Sequence, residues 1–216
     1  MEDGYERNVF INCPFDSRYR PIFHALVFAV YDCGFIARSA LEVEDGGEVR
    51  IVKIKRIIRE CRYGIHDISR VTLDSSTRLP RFNMPFEFGL FMGAQEYGDR
   101  RQRTKRSLVL DRDRYRYQKF CSDIAGQDIR AHDNSPAQAI AAVRAMLATA
   151  LGGTARIPGP SEICRRDAQF RSPSVALSPP ACEARRVAVR RVALPHLRVD
   201  GGVPGRHLSR VPVPGT

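Results

Sequence analysis

The sequence predicts an α/β protein built on a five-stranded parallel sheet with helices on both faces. Two observations carry this. Through about residue 150 of 216, short apolar runs alternate with stretches of helical period. The apolar runs are nearly continuous rather than strictly alternating, as in strands buried on both faces.

Asn8–Phe15 (NVFINCPF) is the first strand, ending at a proline. Arg18–Gly34 follows as a helix, with Ile22, Phe23, Leu26, Val27 and Val30 at helical spacing and Gly34 at the stop position. Phe35–Leu41 is the second strand. The acidic turn Glu42–Glu48 leads into a helix over Val49–Cys61, where Ile51, Ile54, Ile57 and Ile58 form one stripe. Arg50, Lys53, Lys55, Arg56 and Arg59 read as its solvated face. Tyr63–Ser69 is the third strand, and the polar loop Arg70–Arg81 precedes an apolar helix over Met84–Tyr97. Arg106–Asp111 is the fourth strand, Tyr115–Gly126 a helix, and Asp128–His132 a short polar edge strand. Ser135 caps the last helix, Ala137–Leu151, with Pro136 in its first turn.

Right-handed crossovers over five strands favour the order 2-1-3-4-5, the flavodoxin-like arrangement. Ligands then bind beyond the carboxyl ends of the strands, at the switch point between strands 1 and 3. Geometry alone therefore selects Asn12–Asp16, Asp67–Ser69 and Asn83–Gly89.

Net charge is +11, divided as +4 over residues 1–150 and +7 over 151–216. All 11 basic residues of the latter segment are arginine, and it holds 9 of the 14 prolines. The chain thus divides into a nucleotide-binding domain over residues 1–152 and an Arg/Pro-rich tail over 153–216, expected to be disordered. Beyond about Phe170 the composition matches out-of-frame translation of a GC-rich gene, a reading preferred to a basic arm for nucleic acid. Because the charge lies mainly in this tail, nucleic acid is not the expected partner. No apolar stretch suits a bilayer. The first residues carry no secretory signal, and six irregularly spaced cysteines read as reduced thiols, which predicts a cytoplasmic protein. No cysteine–histidine spacing supports a metal site.

Three strand ends offer polar groups to one place. Glu87 is the most informative, with Phe86, Phe88, Leu90 and Phe91 around it in sequence. A carboxylate among such neighbours is costly unless paired or used. An anion near a helix start is favoured, and Gly89 would admit close approach of a ligand. A carboxylate also suits cleavage of an N-glycosidic bond, whose oxocarbenium-like ribose an anion stabilises or captures. Plainer roles stand beside these: Glu87 and Asp67 as capping carboxylates, Asn12 and Asp16 as turn residues. His24 and His66 read as structural, and Arg100–Arg106 as a solvated connection rather than a phosphate patch.

Cys13-Pro14-Phe15 after strand 1, Asp67-Ile68-Ser69 after strand 3 and Phe86-Glu87-Phe88-Gly89 on the third helix resemble the nucleoside 2-deoxyribosyltransferase-like family. That family is related to the bacterial Toll/interleukin-1 receptor (TIR) domains, including TIR-like proteins of phage defence that cleave NAD. Cys13 stands where the family carries glycine, and Phe86 where it carries tyrosine. The resemblance covers about residues 8–150. It implies Glu87 as nucleophile or catalytic glutamate, with Asp67 contacting ribose or base. Asn12, Pro14, Phe15, Asp16, Ser69, Asn83 and Gly89 are the expected ligand-binding set. The expected function is cleavage of an N-glycosidic bond, NAD hydrolysis first, favoured by the Glu42–Glu48 loop and the missing tyrosine. No cofactor is required, NAD or another nucleotide being the substrate. The alternatives are deoxyribosyl transfer between nucleosides and a non-catalytic nucleotide-sensing or oligomerising module, for which a homo-oligomer is the expected assembly.

Overall fold

A computed structural model describes residues 4–42, 47–71, 73, 78–152 and 157–171. Five parallel strands, β1 (Asn8–Asn12), β2 (Ile36–Arg38), β3 (Tyr63–Asp67), β4 (Arg106–Asp111) and β5 (Ile129–Ala131), lie in the order 2-1-3-4-5. This is the flavodoxin-like arrangement. The strands are connected through α1 (Arg20–Asp32), α2 (Arg50–Arg59) and α3 (Asn83–Tyr97), and α4 (Pro136–Ala150) and α5 (Pro160–Arg171) complete the fold. The strands stop earlier than the apolar runs suggest. β1 ends at Asn12, two residues before Pro14, which lacks the N–H a ladder needs. β3 ends where the Asp67 carboxylate accepts from the Ser69 N–H at 2.8 Å and turns the chain.

Alternation along the strands builds two core layers. Val9, Ile11, Tyr63, Ile65, Leu108 and Leu110 pack with α1 and α4. Phe10 packs with Ile54, Ile57, Ile58 and Phe91 from α2 and α3, while Val109 joins Ile68 and Phe88. Neighbouring residues of one strand therefore face opposite layers. Ser135 caps α4 as its sequence indicates, its hydroxyl accepting from the Gln138 N–H at 3.4 Å.

Three expectations are corrected. Tyr115–Gly126 is not an α-helix but two 3-10 turns, Arg116–Lys119 and Ser122–Ile124. Tyr115 takes a left-handed φ of 59°, and this tight turn brings the Arg116 guanidinium to Asp111 Oδ1 (Nε at 2.9 Å) and to the Ile68 carbonyl at 3.0 Å. Lys53, assigned to a solvated face, is buried beside Ile54 and Ile57. The expected tail begins too early: residues 160–171 form α5, packed on α1 and α4. Ile163 is fully buried, Phe170 meets Phe28 with ring centroids 5.5 Å apart, and Arg166 Nη1 reaches the buried Asp32 carboxylate at 3.2 Å. Few apolar residues carry this helix; its other ties are ionic, such as Arg166 Nε to Glu162 at 2.7 Å. The reading of residues after about 170 as out of frame falls, beyond Arg171, outside the described residues.

The edge of the sheet at which the strands begin is closed by Lys105. Its ammonium donates to the Ile58 carbonyl at 2.7 Å and to the Cys61 carbonyl, at the C-terminal end of α2, and sits 4.6 Å from the centre of the Phe91 ring. A cation at a helix C-terminus is favourable, and burial pushes this amine down to about 8. Of the connection Arg100–Arg106, expected to be solvated, Gln102 and Lys105 are buried and the other five residues are exposed.

If α5 is integral to the fold, Ile163→Ala costs about 3 kcal/mol in urea unfolding. An unchanged midpoint would show that α5 is dispensable.

Candidate functional site

β1 and β3 are adjacent, so their ends meet at the switch point. A cavity of about 450 Å³ opens there, within the range of about 300–1,000 Å³ usual for small-molecule sites. Cys13, Pro14, Phe15 and Asp16 line it from the end of β1, and Asn83 and Met84 from the start of α3. Arg50, Arg70 and Arg81 complete the wall. Asp16 is a turn residue as well as a wall residue: its Oδ1 accepts from the Arg18 and Tyr19 N–H groups at 3.0 Å and stands 3.6 Å from Arg70. Cys13 is fully buried, and burial, with the charges of Asp67 and Glu87, pushes its thiol well above the ordinary range. It is therefore a protonated thiol at neutral pH.

Asn12 lies under this wall. Its amide nitrogen donates to the Met84 carbonyl at 2.9 Å and lies 3.2 Å from His66 Nδ1, joining β1 to β3 and to the start of α3. As the amide NH₂ can only donate, His66 Nδ1 is the acceptor and the ring proton belongs on Nε2. His66 is enclosed by Phe88, Phe91 and Phe10, with ring centroids 4.8, 4.9 and 5.9 Å away. Burial, with the Lys105 charge, lowers it to about 3. The structural role expected of His66 suits that environment.

Glu87 lies on α3 one turn beyond Asn83, and only 4% of it is exposed. The aromatic surroundings expected for it are partial: Phe88 and Phe91 are buried, whereas Phe86 is 56% exposed. Among the described residues its counter-charge is Arg50, whose Nη2 lies 3.9 Å from Oε1 and whose side chain is half exposed. A long, solvated pair offsets little of the desolvation, so burial wins and the carboxyl is pushed up to about 7. Arg50, the first residue of α2, links this carboxyl to the cavity, whose wall it also forms.

Asp67 occupies the other face of the sheet, one residue from His66. It is fully buried; Tyr19 donates to its Oδ2 at 2.6 Å, Ser69 N–H to its Oδ1, and His132 Nε2 approaches Oδ2 to 3.0 Å. The Asn134 N–H donates to His132 Nδ1 at 3.0 Å, which places that ring's proton on Nε2, close to Asp67 but without hydrogen-bond geometry. The carboxylate assigned by resemblance to ribose or base is thus occupied by protein groups. Ser69 lines a neighbouring cavity rather than this one. Gly89 lies two residues, about 200°, around α3 from Glu87, is exposed, and lines neither cavity.

Of the expected residues, the structure brings Pro14, Phe15, Asp16 and Asn83 to one cavity, with Asn12 and Glu87 behind its wall. Sequence reasoning missed Tyr19 and His132, Asp67's partners, and the role of Arg50, hidden in a basic helix face. The Glu42–Glu48 loop falls at residues 43–46 outside the described residues. Among the described residues no cluster of histidine, cysteine and carboxylates is arranged to hold a metal ion. No helix among them is long and apolar enough to cross a membrane. Comparison with protein-family models, with curated proteins and with solved structures gives no match for this chain.

Glu87 and His66 impose opposite pH dependences on stability. Glu87, raised in the fold from 4.5 to about 7, makes the protein less stable as pH rises through that interval. His66, lowered from 6.5 to about 3, makes it less stable as pH falls through its interval. From about 4.5 to 6.5 the two slopes cancel. Relative to wild type, Glu87→Gln therefore gains about 3 kcal/mol between pH 4 and pH 8 in urea unfolding. A pH-independent difference would show that Glu87 is not desolvated.

Proposed function

We propose that this protein binds a nucleotide at the β1/β3 switch point and cleaves its N-glycosidic bond, with NAD as the first substrate to test. The observation that carries the reading is Glu87, a buried carboxyl held near 7 and joined to the cavity by Arg50. Such a group is about half ionised near neutral pH, and its anion lies in a weakly solvated place, where it stabilises or captures an oxocarbenium-like ribose more strongly than a solvated carboxylate does. The three arginines of the wall suit a phosphate-bearing ligand. That favours NAD over the free deoxynucleosides of a base-exchange reaction.

In this scheme Glu87 is the catalytic carboxylate. Asp67 is a positioning residue: it holds Tyr19 and the Ser69 turn beneath the site. Asn12 fixes the start of α3 through the Met84 carbonyl, and Pro14, Phe15, Asp16 and Asn83 shape the pocket.

The test is release of nicotinamide from NAD. Wild type is expected to turn over and Glu87→Gln to lose at least about a hundredfold in rate, the scale of a catalytic carboxylate. Because the ionised form acts, the wild-type rate rises with pH through about 7. Arg50 lowers the Glu87 pKa, so Arg50→Ala moves that rise to higher pH. Equal inertness of wild type and Glu87→Gln at micromolar enzyme would leave the non-catalytic nucleotide-sensing module as the reading.

A further inference from the structure

α3 is apolar on more than the side that meets the core. Glu87, Phe88 and Phe91 turn inwards, whereas Phe82, Phe86, Gly89, Leu90, Gly93 and Tyr97 recur every three or four residues on the opposite side. Phe82 is 64% exposed, Phe86 56% and Tyr97 86%. A Cβ added at Gly89 or Gly93 would meet nothing beyond the helix's own backbone within 4 Å. The stripe is thus bulky at both ends and hollow in the middle. Beside Gly93 a groove of about 490 Å³ opens between α2 and α3, with Ile58, Leu90 and Ala94 in its wall. The three aromatics alone leave roughly 400 Å² uncovered, at about 200 Å² for each such residue fully exposed. Val49 and Val52, both exposed, extend the face at the start of α2, which Arg50 ties to Glu87. Apolar patches of this size mark association surfaces, and each partner of a small stable interface supplies about 600 Å².

The spacing of the stripe selects its occupant. A second α3 laid antiparallel, with a two-fold axis passing between Gly89 and Leu90, sets Phe86 over the partner's Gly93 and Phe82 against the partner's Tyr97, each twice by symmetry. The stripe is its own complement, as an isologous interface requires. The hollow at Gly93 and the groove beside it give the incoming ring room. We propose that this face is the interface of a homodimer in which α3 packs antiparallel on the partner's α3. Tyr97 of the partner subunit then stands beside Phe82, whose neighbours Arg81 and Asn83 wall the candidate-site cavity, so each cavity is bordered by both copies. The interface does not depend on the reaction assigned to that cavity.

The experiment is sedimentation velocity of the full chain over micromolar concentrations, with Phe86 and Gly93 changed singly and together. Wild type is expected to dimerise. Phe86→Ala weakens the dimer at least about tenfold by removing two buried anchors. Gly93→Phe weakens it at least about thirtyfold by filling both hollows. The double variant Phe86→Ala/Gly93→Phe moves the knob to the other side of each contact and regains most of the wild-type affinity. A merely structural role for either residue would not produce that recovery. Gly93→Phe leaves the monomer folded, because its side chain enters open space and glycine is a poor helix former; far-ultraviolet circular dichroism checks this. A wild type that stays monomeric overturns the proposal and leaves the stripe to the residues after 171 or to another protein. A dimer that Gly93→Phe leaves intact overturns it by placing the contact elsewhere, and a double variant no tighter than Gly93→Phe overturns the antiparallel register.

Discussion

A strand buried on both faces must send each successive side chain into a different layer, and at the carboxyl end of β3 this rule falls on two polar residues. His66 enters the aromatic layer under α3, and Asp67 enters the layer of α1 and α4. Neither layer tolerates an unpartnered polar group cheaply. Each residue therefore recruits neighbours, Asn12 for His66, and Tyr19, the Ser69 turn and His132 for Asp67. These partners fix where the loops leave the sheet, and the loops fix the cavity. The candidate site follows from how two adjacent residues are held on opposite sides of one sheet, His66 through its Nδ1 alone among the described residues and Asp67 through both carboxylate oxygens.

The acidic and basic groups of the site are treated differently by the fold. Two carboxylates are buried, Asp67 wholly and Glu87 almost wholly, while Asp16 and the arginines stand at the rim with partly solvated side chains. A buried acid keeps a fixed position and an altered proton affinity. An exposed arginine keeps its charge and its freedom to turn towards an anion. The fold thus separates positions suited to bond chemistry from positions suited to capture.

Much of the architecture was legible because it rests on repeated apolar signals. Ile54, Ile57 and Ile58 mark one face of α2, and the apolar runs of β1, β3 and β4 mark the central strands. What escaped rests on single residues. Nothing local marks Tyr115 as the place where a helix gives way to a left-handed turn; the reason is Arg116 reaching across to Asp111 and Ile68. α5 is anchored by Ile163, Phe170 and ion pairs, too sparse a pattern to stand out in an Arg-rich segment. The candidate site was legible as strand ends and as Glu87. Its partition was not, because the face that Asp67 meets depends on the register of β3, and Arg50 resembles its solvated neighbours until α2 is placed against α3.

The chain has only four lysines, and the fold gives them very different surroundings. Lys55 and Lys119 are exposed, Lys53 is buried on α2, and Lys105 is enclosed at the far end of the sheet. With its amine held down to about 8, Lys105 is neutral about half the time at that pH, and so is intrinsically the better nucleophile towards an acylating reagent. It is also the group such a reagent cannot reach while α2, β3 and β4 stay together. Intrinsic reactivity and accessibility are thereby set against each other at one atom. The acylation rate of Lys105, read against that of Lys55, is a built-in clock for the opening of the sheet at the edge remote from the candidate site.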